Sequence, residues 1–243
     1  MFVSISKDKY ELGKKAAENG SKFIRKALAE KGYANIIVAT GASQFEMLSE
    51  LVKAPDIDWS KVSVFHLDEY VGLPEDHPAG FRKYLRERFI AKLPTAPKKF
   101  YPVSKEGMAE LGAILKQTTI DVAFVGIGEN GHLAFNDPPA DFDSNEAYLI
   151  IELDEKCRRQ QLGEGWFKTF EDVPTHAVSM AIKQIMMSKA IICSVPDARK
   201  AEAVAGAVEG PLSNLCPSSI MQMHPECWLY LDPDSAQLLK KSY

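Results

Sequence analysis

Three short stretches of the sequence combine groups that move protons or hold anions. In His66-Leu67-Asp68-Glu69-Tyr70, two carboxylates directly follow an apolar run. A carboxylate held there could remove a proton from carbon next to a carbonyl, assistance worth about 10²–10⁴-fold; solvated acids at a strand end are the plainer alternative. Neighbouring residues of an extended chain point to opposite faces, so only one of Asp68 and Glu69 is expected to face a ligand. Gly126-Ile127-Gly128-Glu129-Asn130-Gly131-His132 runs on to Phe135, Asn136, Asp137 and paired prolines. His132 and Asp137, five residues apart, suit a His–carboxylate relay, against a histidine bonded to backbone for structural reasons. Asn130 can donate and accept hydrogen bonds but cannot act as a base. In Thr40-Gly41-Ala42-Ser43, small residues let backbone N–H groups face a ligand at a helix start suited to phosphate. A tight turn with Ser43 as N-cap needs no ligand and is equally consistent with those four residues.

These stretches need a frame, and the chain alternates β-rich runs with helical patterns as an open α/β sheet does. Strands are expected at Phe2–Ser6, Asn35–Thr40, Lys61–Leu67, Ile120–Ile127, Tyr148–Leu153, Ala190–Val195 and Glu226–Leu231. Helices are expected at Lys9–Lys31, from Ser43 to about Lys53, and at Ala79–Lys92, Lys105–Gln117, Asp154–Leu162, Ala177–Ser188, Asp197–Val208 and Pro233–Lys240. The three chemical stretches each follow an apolar strand. In doubly wound sheets ligands bind just beyond the carboxyl ends of the strands, so one shared site is expected. The Gly126, Gly128, Gly131 spacing matches GxGxxG, but a dinucleotide fingerprint lies on the first strand and opens a long helix. Here it opens an irregular loop, and a nicotinamide cofactor is rejected.

Composition narrows the class. The 243 residues are 46% hydrophobic and 26% charged, which excludes disorder and fits one α/β domain over 1–243. A net charge of −4 argues against a dedicated nucleic-acid binder, although a small anion needs only a local cluster of donors. Cys157, Cys193, Cys216 and Cys227 form no CxxC pair and no cluster with His, so reduced, mostly buried thiols are expected rather than a disulfide or metal framework. The opening MFVSISKDKYELGKKAAENG lacks a long apolar segment, and no apolar run reaches the roughly 18 residues of a membrane span. A cytoplasmic protein with neither membrane nor nucleic-acid partner is expected.

LDEYVGLPEDHPAGFRKYL, GIGENGHLAFNDP, RKAEAVAGAVEGP and the later MQMHP are long, ordered and correctly spaced. Through them the chain resembles the glucosamine-6-phosphate deaminase (isomerase) family over almost its whole length. The resemblance implies a Rossmann-like three-layer α/β/α sandwich with a mostly parallel sheet, needing no cofactor and no metal. It implies conversion of a sugar phosphate, glucosamine 6-phosphate, to fructose 6-phosphate and ammonia. Carried over by motif, Asp68 would take the C2 proton and return one to C1. His132 would open the pyranose ring, tuned by Asp137 and Asn130. Thr40, Gly41, Ala42 and Ser43 would form the phosphate turn, with Lys200 adding a cation. A homo-oligomer is left open.

The chain also departs from that pattern. Thr-Gly-Ala-Ser replaces the usual Thr-Gly-Gly-Thr, Asn130 stands where an acid is frequent, and the relay Glu is shortened to Asp137. An arginine that grips phosphate in the family should fall near Leu162-Gly163-Glu164. Its absence predicts weakened or altered phosphate recognition, unless Arg158 or Arg159 replaces it. The basic residues that bind an allosteric activator in some members are absent from Asn145–Leu149. Two other readings use the same fold: hydrolysis like that of 6-phosphogluconolactonase, and a sugar-phosphate sensor without turnover. Lactone hydrolysis needs no C2 base, which the Asp68-Glu69-Tyr70 stretch offers. A sensor would carry a DNA-binding segment or lack the acid–base set.

Overall fold

A computed structural model describes residues 1–243. In chain order its elements are β1 (Phe2–Ile5), α1 (Lys9–Lys31), β2 (Ala34–Val38), α2 (Phe45–Leu51), β3 (Val62–His66) and β4 (Asp68–Tyr70). There follow α3 (Phe81–Arg88), β5 (Lys99–Tyr101), α4 (Met108–Lys116), β6 (Val122–Val125), β7 (Tyr148–Glu152) and α5 (Glu155–Gly163). The last are β8 (His176–Met180), α6 (Ile182–Met186), β9 (Ile191–Val195), α7 (Ala201–Glu209), β10 (Cys227–Leu231) and α8 (Pro233–Ala236).

Seven strands form one sheet in the order β1-β10-β9-β6-β2-β3-β5, and every pairing in it is parallel. Parallel strands are buried on both faces and read as continuous apolar runs, which is why β2, β3, β6 and β9 are buried at every residue. Alternate residues enter different cores. Ile36, Val64, Phe124 and Ile192 join α1, α2 and α3 on one face. Ile37, Phe65, Val125 and Cys193 join α4, α6 and α7 on the other. The result is the three-layer sandwich. From β2 the chain builds outward to β3 and β5, and from β6 the other way to β9 and β10. The strand order therefore reverses between β2 and β6, and crevices open at such a reversal.

α1 shows how local signals set an element's limits. Asp8 caps its start by accepting from the Glu11 N–H at 2.8 Å. Leu12, Ala16, Ile24 and Ala27 bury one stripe, and the chain leaves the helix at Gly32.

Three expectations are corrected. Ala177–Ser188 is not one helix: His176–Met180 is a strand, and only Ile182–Met186 is helical. Asp68–Tyr70, expected to lie beyond the end of a strand, is a strand of its own. The order β4-β8-β7 forms a second, antiparallel sheet, with Asp68 opposite Ser179 and Tyr148 opposite Met180. Pairing between segments so far apart in sequence leaves no local signal. Ser43 caps nothing: Gly41 and Gln44 hold the N-cap positions of a 3₁₀ turn (Ala42–Gln44) and of α2. The edge strand β5 had no expectation at all.

Candidate active site

One cavity opens at the reversal between β2 and β6, beyond the carboxyl ends of the sheet. Its wall includes Thr40, Gly41, Ala42 and Ser43 after β2, Asp68 after β3, Gly128 and His132 after β6, and Lys200 after β9. Asn130 and Asp137 do not line it; they lie behind His132, within hydrogen-bond reach of it.

The turn after β2 works through small residues. Gly41 has φ 94°, a left-handed value strained for side-chain-bearing residues. It swings the chain from β2 into the 3₁₀ turn, where first-turn N–H groups lack intrahelical acceptors. Gln44, fully buried, fixes this turn from below. Its Nε2 donates to Ser43 Oγ at 3.1 Å, to the Val125 carbonyl of β6 at 3.1 Å and toward the Ser194 carbonyl of β9 at 3.4 Å. Ser43 Oγ thereby accepts from the protein and keeps its own proton for the cavity.

Asp68 and Glu69 separate as alternation demands. Glu69 turns away from the cavity, fully buried, and accepts from the N–H groups of Tyr70, Phe81 and Arg82. Its Oε2 pairs with Arg82 Nε at 3.1 Å. Asp68 is 6% exposed, and its Oδ1 has no hydrogen-bond partner. Burial first, and the neighbouring Glu69 carboxylate second, push the Asp68 carboxyl up to about 8. A carboxylate that is poorly solvated, unpaired and cavity-facing is a strong base.

His132 closes the opposite wall. Its ring packs closely over Gly128, where a Cβ would collide with the imidazole. Nδ1 lies 3.0 Å from Asp137 Oδ1. Asp137 Oδ1 also accepts from Asn130 Nδ2 at 2.9 Å, and Oδ2 accepts from the Asp154 N–H at 2.9 Å. Burial works to raise the Asp137 carboxyl, but these donors, His132 foremost, outweigh it and hold the group below its ordinary value. Asn130 is clamped at both ends: Nδ2 also donates to Asp154 Oδ2 at 2.8 Å, and Oδ1 accepts from the His132 N–H at 3.0 Å. With Nδ1 held by a carboxylate, the imidazole keeps Nε2 as the nitrogen that can exchange a proton with a ligand.

The sequence reading missed Asp154. It caps α5 by accepting from the Cys157 N–H at 2.6 Å, and an Asp opening a predicted helix was the available signal. Beneath these residues Phe135, Phe81 and Tyr70 stack together, tying the His132 loop to α3 and β4.

Lys200 is 4% exposed, and burial lowers its pKa despite the nearby carboxylates of Glu164 and Glu129. Neither Arg158 nor Arg159 reaches the cavity. Arg158 Nη2 donates to the Phe170 and Val173 carbonyls, and the exposed Arg159 pairs with Glu155. α5 instead turns Gln160 and Gln161 toward the cavity, with Glu164 just past its end. Gln160 Nε2 donates to Glu164 Oε1 at 2.8 Å, while Gln160 Oε1 accepts from the Glu129 N–H at 2.8 Å. At this end of α5 the cavity wall carries an acid, Glu164.

His132, Asp137 and Cys157 bring ligand atoms within 4.8 Å of one another, the one cluster with metal-ligand chemistry. Its donors are committed elsewhere. The His132 and Asp137 atoms bond each other, both Asp137 oxygens accept N–H groups, and burial drives the Cys157 thiol well above its ordinary value. The arrangement is that of a proton relay.

A family model described as glucosamine-6-phosphate isomerases/6-phosphogluconolactonase matches residues 7–229. Glucosamine-6-phosphate deaminases of Streptococcus pneumoniae are 36% identical over 230 residues, which cover 91% of this chain and 95% of theirs. A solved monomeric glucosamine-6-phosphate deaminase superposes with TM-score 0.89 at 27% identity, covering 98% of this chain and 100% of that one. A putative 6-phosphogluconolactonase from Neisseria gonorrhoeae shares the fold, with TM-score 0.74 at 21% identity over 96% of this chain and 100% of that one.

Proposed function

The chain belongs to the family of glucosamine-6-phosphate isomerases and 6-phosphogluconolactonases, and on that premise we propose that it is a glucosamine-6-phosphate deaminase. It would act as one catalytic domain over residues 1–243, in the cytoplasm, on a small sugar phosphate. No helix is long and apolar enough to cross a membrane. Every group in the reaction below comes from one chain.

The observation that carries this reading is Asp68, a buried carboxyl with an unpartnered oxygen in the same cavity as His132. Lactone hydrolysis has no carbon-bound proton to remove; aldose–ketose conversion does. In the proposed reaction, the Nε2 side of His132 moves a proton between the ring oxygen and the C1 hydroxyl, opening the pyranose to an aldehyde. Asp68 removes the C2 proton, the electron pair shifts toward O1, and O1 takes a proton from the C2 ammonium, which gives an enolamine. The protonated Asp68 delivers a proton to C1, leaving a C2 imine. Water adds to that imine, ammonia leaves, and the C2 ketone of fructose 6-phosphate remains. One water is consumed per ammonia released, with no net oxidation. The Thr40–Ser43 turn and Lys200 hold the phosphate, which keeps C1 and C2 between Asp68 and His132.

Incubation with glucosamine 6-phosphate, following ammonia and fructose 6-phosphate together, tests the assignment. The two products are expected in equal amounts. Galactosamine 6-phosphate, unphosphorylated amino sugars and 6-phosphogluconolactone run beside it, and faster turnover of the lactone would replace the deaminase reading.

A further inference from the structure

Lys200 is the one lysine or arginine in the cavity wall. The chain has seven arginines, and six are bound away from the site. Arg82 pairs with Glu69, Arg86 with Glu75, and Arg25 donates to the Pro55 carbonyl. Arg88 lies over the Phe45 and Tyr84 rings, and Arg158 and Arg159 are held as described above. The seventh, Arg199, lines an outer chamber that adjoins the cavity and shares Ala42, Ser43, Glu164 and Lys200 with it.

Arg199 is mounted on a strained, braced platform. Asp197 has φ 91°, a value costly for any residue but glycine, and such strain collects where a site over-determines the backbone. Its N–H donates to both Asp232 oxygens, at 3.3 and 3.2 Å, and Asp232 is itself locked in a capping box with Ser235. Asp197 then holds Arg199 through the backbone N–H at 3.0 Å, Nε at 3.2 and 3.1 Å, and Nη2 at 2.7 Å. Only Nη1 reaches elsewhere, to Glu129 Oε1 at a loose 3.5 Å. One edge of the guanidinium is therefore fixed, and the other carries an exchangeable partner beside Lys200.

We propose that Arg199 is the second cation of the phosphate site, an oxyanion displacing Glu129 from Nη1 while Asp197 keeps the guanidinium aimed. This rests on the sugar-phosphate reading of the cavity and adds a residue to it. Lys9, the other cation of the outer chamber, is paired with Glu46 at 3.0 Å and does not adjoin Lys200 in sequence.

The test uses the full chain and inorganic phosphate as the probe. One charge-assisted contact corresponds to roughly a tenfold to hundredfold change in affinity. Arg199→Gln is expected to weaken phosphate binding by that factor in equilibrium titration. It should raise KM for glucosamine 6-phosphate by a similar factor, with kcat within twofold. Arg199→Lys should recover part of the loss, and Arg158→Gln and Arg159→Gln should match the wild type. Phosphate binding and KM within twofold of wild type in Arg199→Gln would overturn the proposal, as would a wild-type chain that binds no phosphate. A wild-type chain that binds phosphate but leaves glucosamine 6-phosphate intact would sink the deaminase reading alone, since the titrations of Arg199→Gln and wild type decide this assignment without turnover.

Discussion

Asp68 and Glu69 are consecutive carboxylates that the strand turns into opposite surroundings. Glu69 is saturated by three backbone N–H groups and the Arg82 guanidinium, whereas Asp68 faces the cavity with Oδ1 unbonded. One acid anchors the start of α3; the other is left reactive. The division of labour makes their substitutions differ in sign.

Asp68→Asn is expected to cut kcat by about 10²–10⁴-fold, the value of a positioned base, while stabilising the fold. The folded-state pKa is raised to about 8 from 3.8. Stability held while Asp68 is protonated is thus lost as pH rises from about 4 through about 8. An amide removes that loss. A gain of about 1–3 kcal/mol at pH 8 raises Tm by about 2–4 °C for each kcal/mol. Thermal melts at pH 5 and pH 8 check it: the variant's advantage should grow with pH, and equal curves at both pH values would refute it.

Glu69→Gln should act in the opposite sense. It weakens a buried pair and leaves Arg82 without its counter-charge, a change that typically costs about 3–5 kcal/mol. Chemical denaturation should show that loss, and a variant as stable as wild type would mean that Glu69 does not anchor α3.

The raised Asp68 carboxyl also sets a pH dependence. A base must be deprotonated, so kcat/KM for the free enzyme is expected to climb between pH 6 and 8 and level off above about 8. A flat profile across that interval would show that Asp68 titrates lower than its surroundings imply.

Asn130 tests the relay behind His132. Its amide donates to Asp137 Oδ1 and Asp154 Oδ2, two acceptors that a third carboxylate could not satisfy. Asn130→Asp should therefore lower both Tm and kcat/KM at pH 8, and recover part of each toward pH 5 as the new acid protonates. Undiminished activity at pH 8 would mean that the Asn130 amide does not hold the relay.

The sequence showed much of this frame and little of its second layer. Strands β2, β3, β6 and β9 were legible because burial on both faces writes itself as continuous apolar runs, and the turns after them stood out by residue type. α1 was legible to its ends, since Asp8 and Gly32 mark them. β4 and β8 were not, because a three-residue strand takes its identity from a partner more than a hundred positions away. Gln44 was invisible for the same reason: it is defined by the Val125 and Ser194 carbonyls it reaches across the sheet, and a lone Gln in sequence reads as solvated surface.

Transfer of hydrogen from C2 to C1 by Asp68 can be followed with an isotope. With glucosamine 6-phosphate bearing deuterium at C2, the wild-type chain should turn over more slowly than on the protiated substrate. It should deliver part of the label to C1 of fructose 6-phosphate, and Asp68→Asn should do neither at a measurable rate. Fructose 6-phosphate formed by Asp68→Asn as fast as by the wild type, with only solvent hydrogen at C1, would contradict the account.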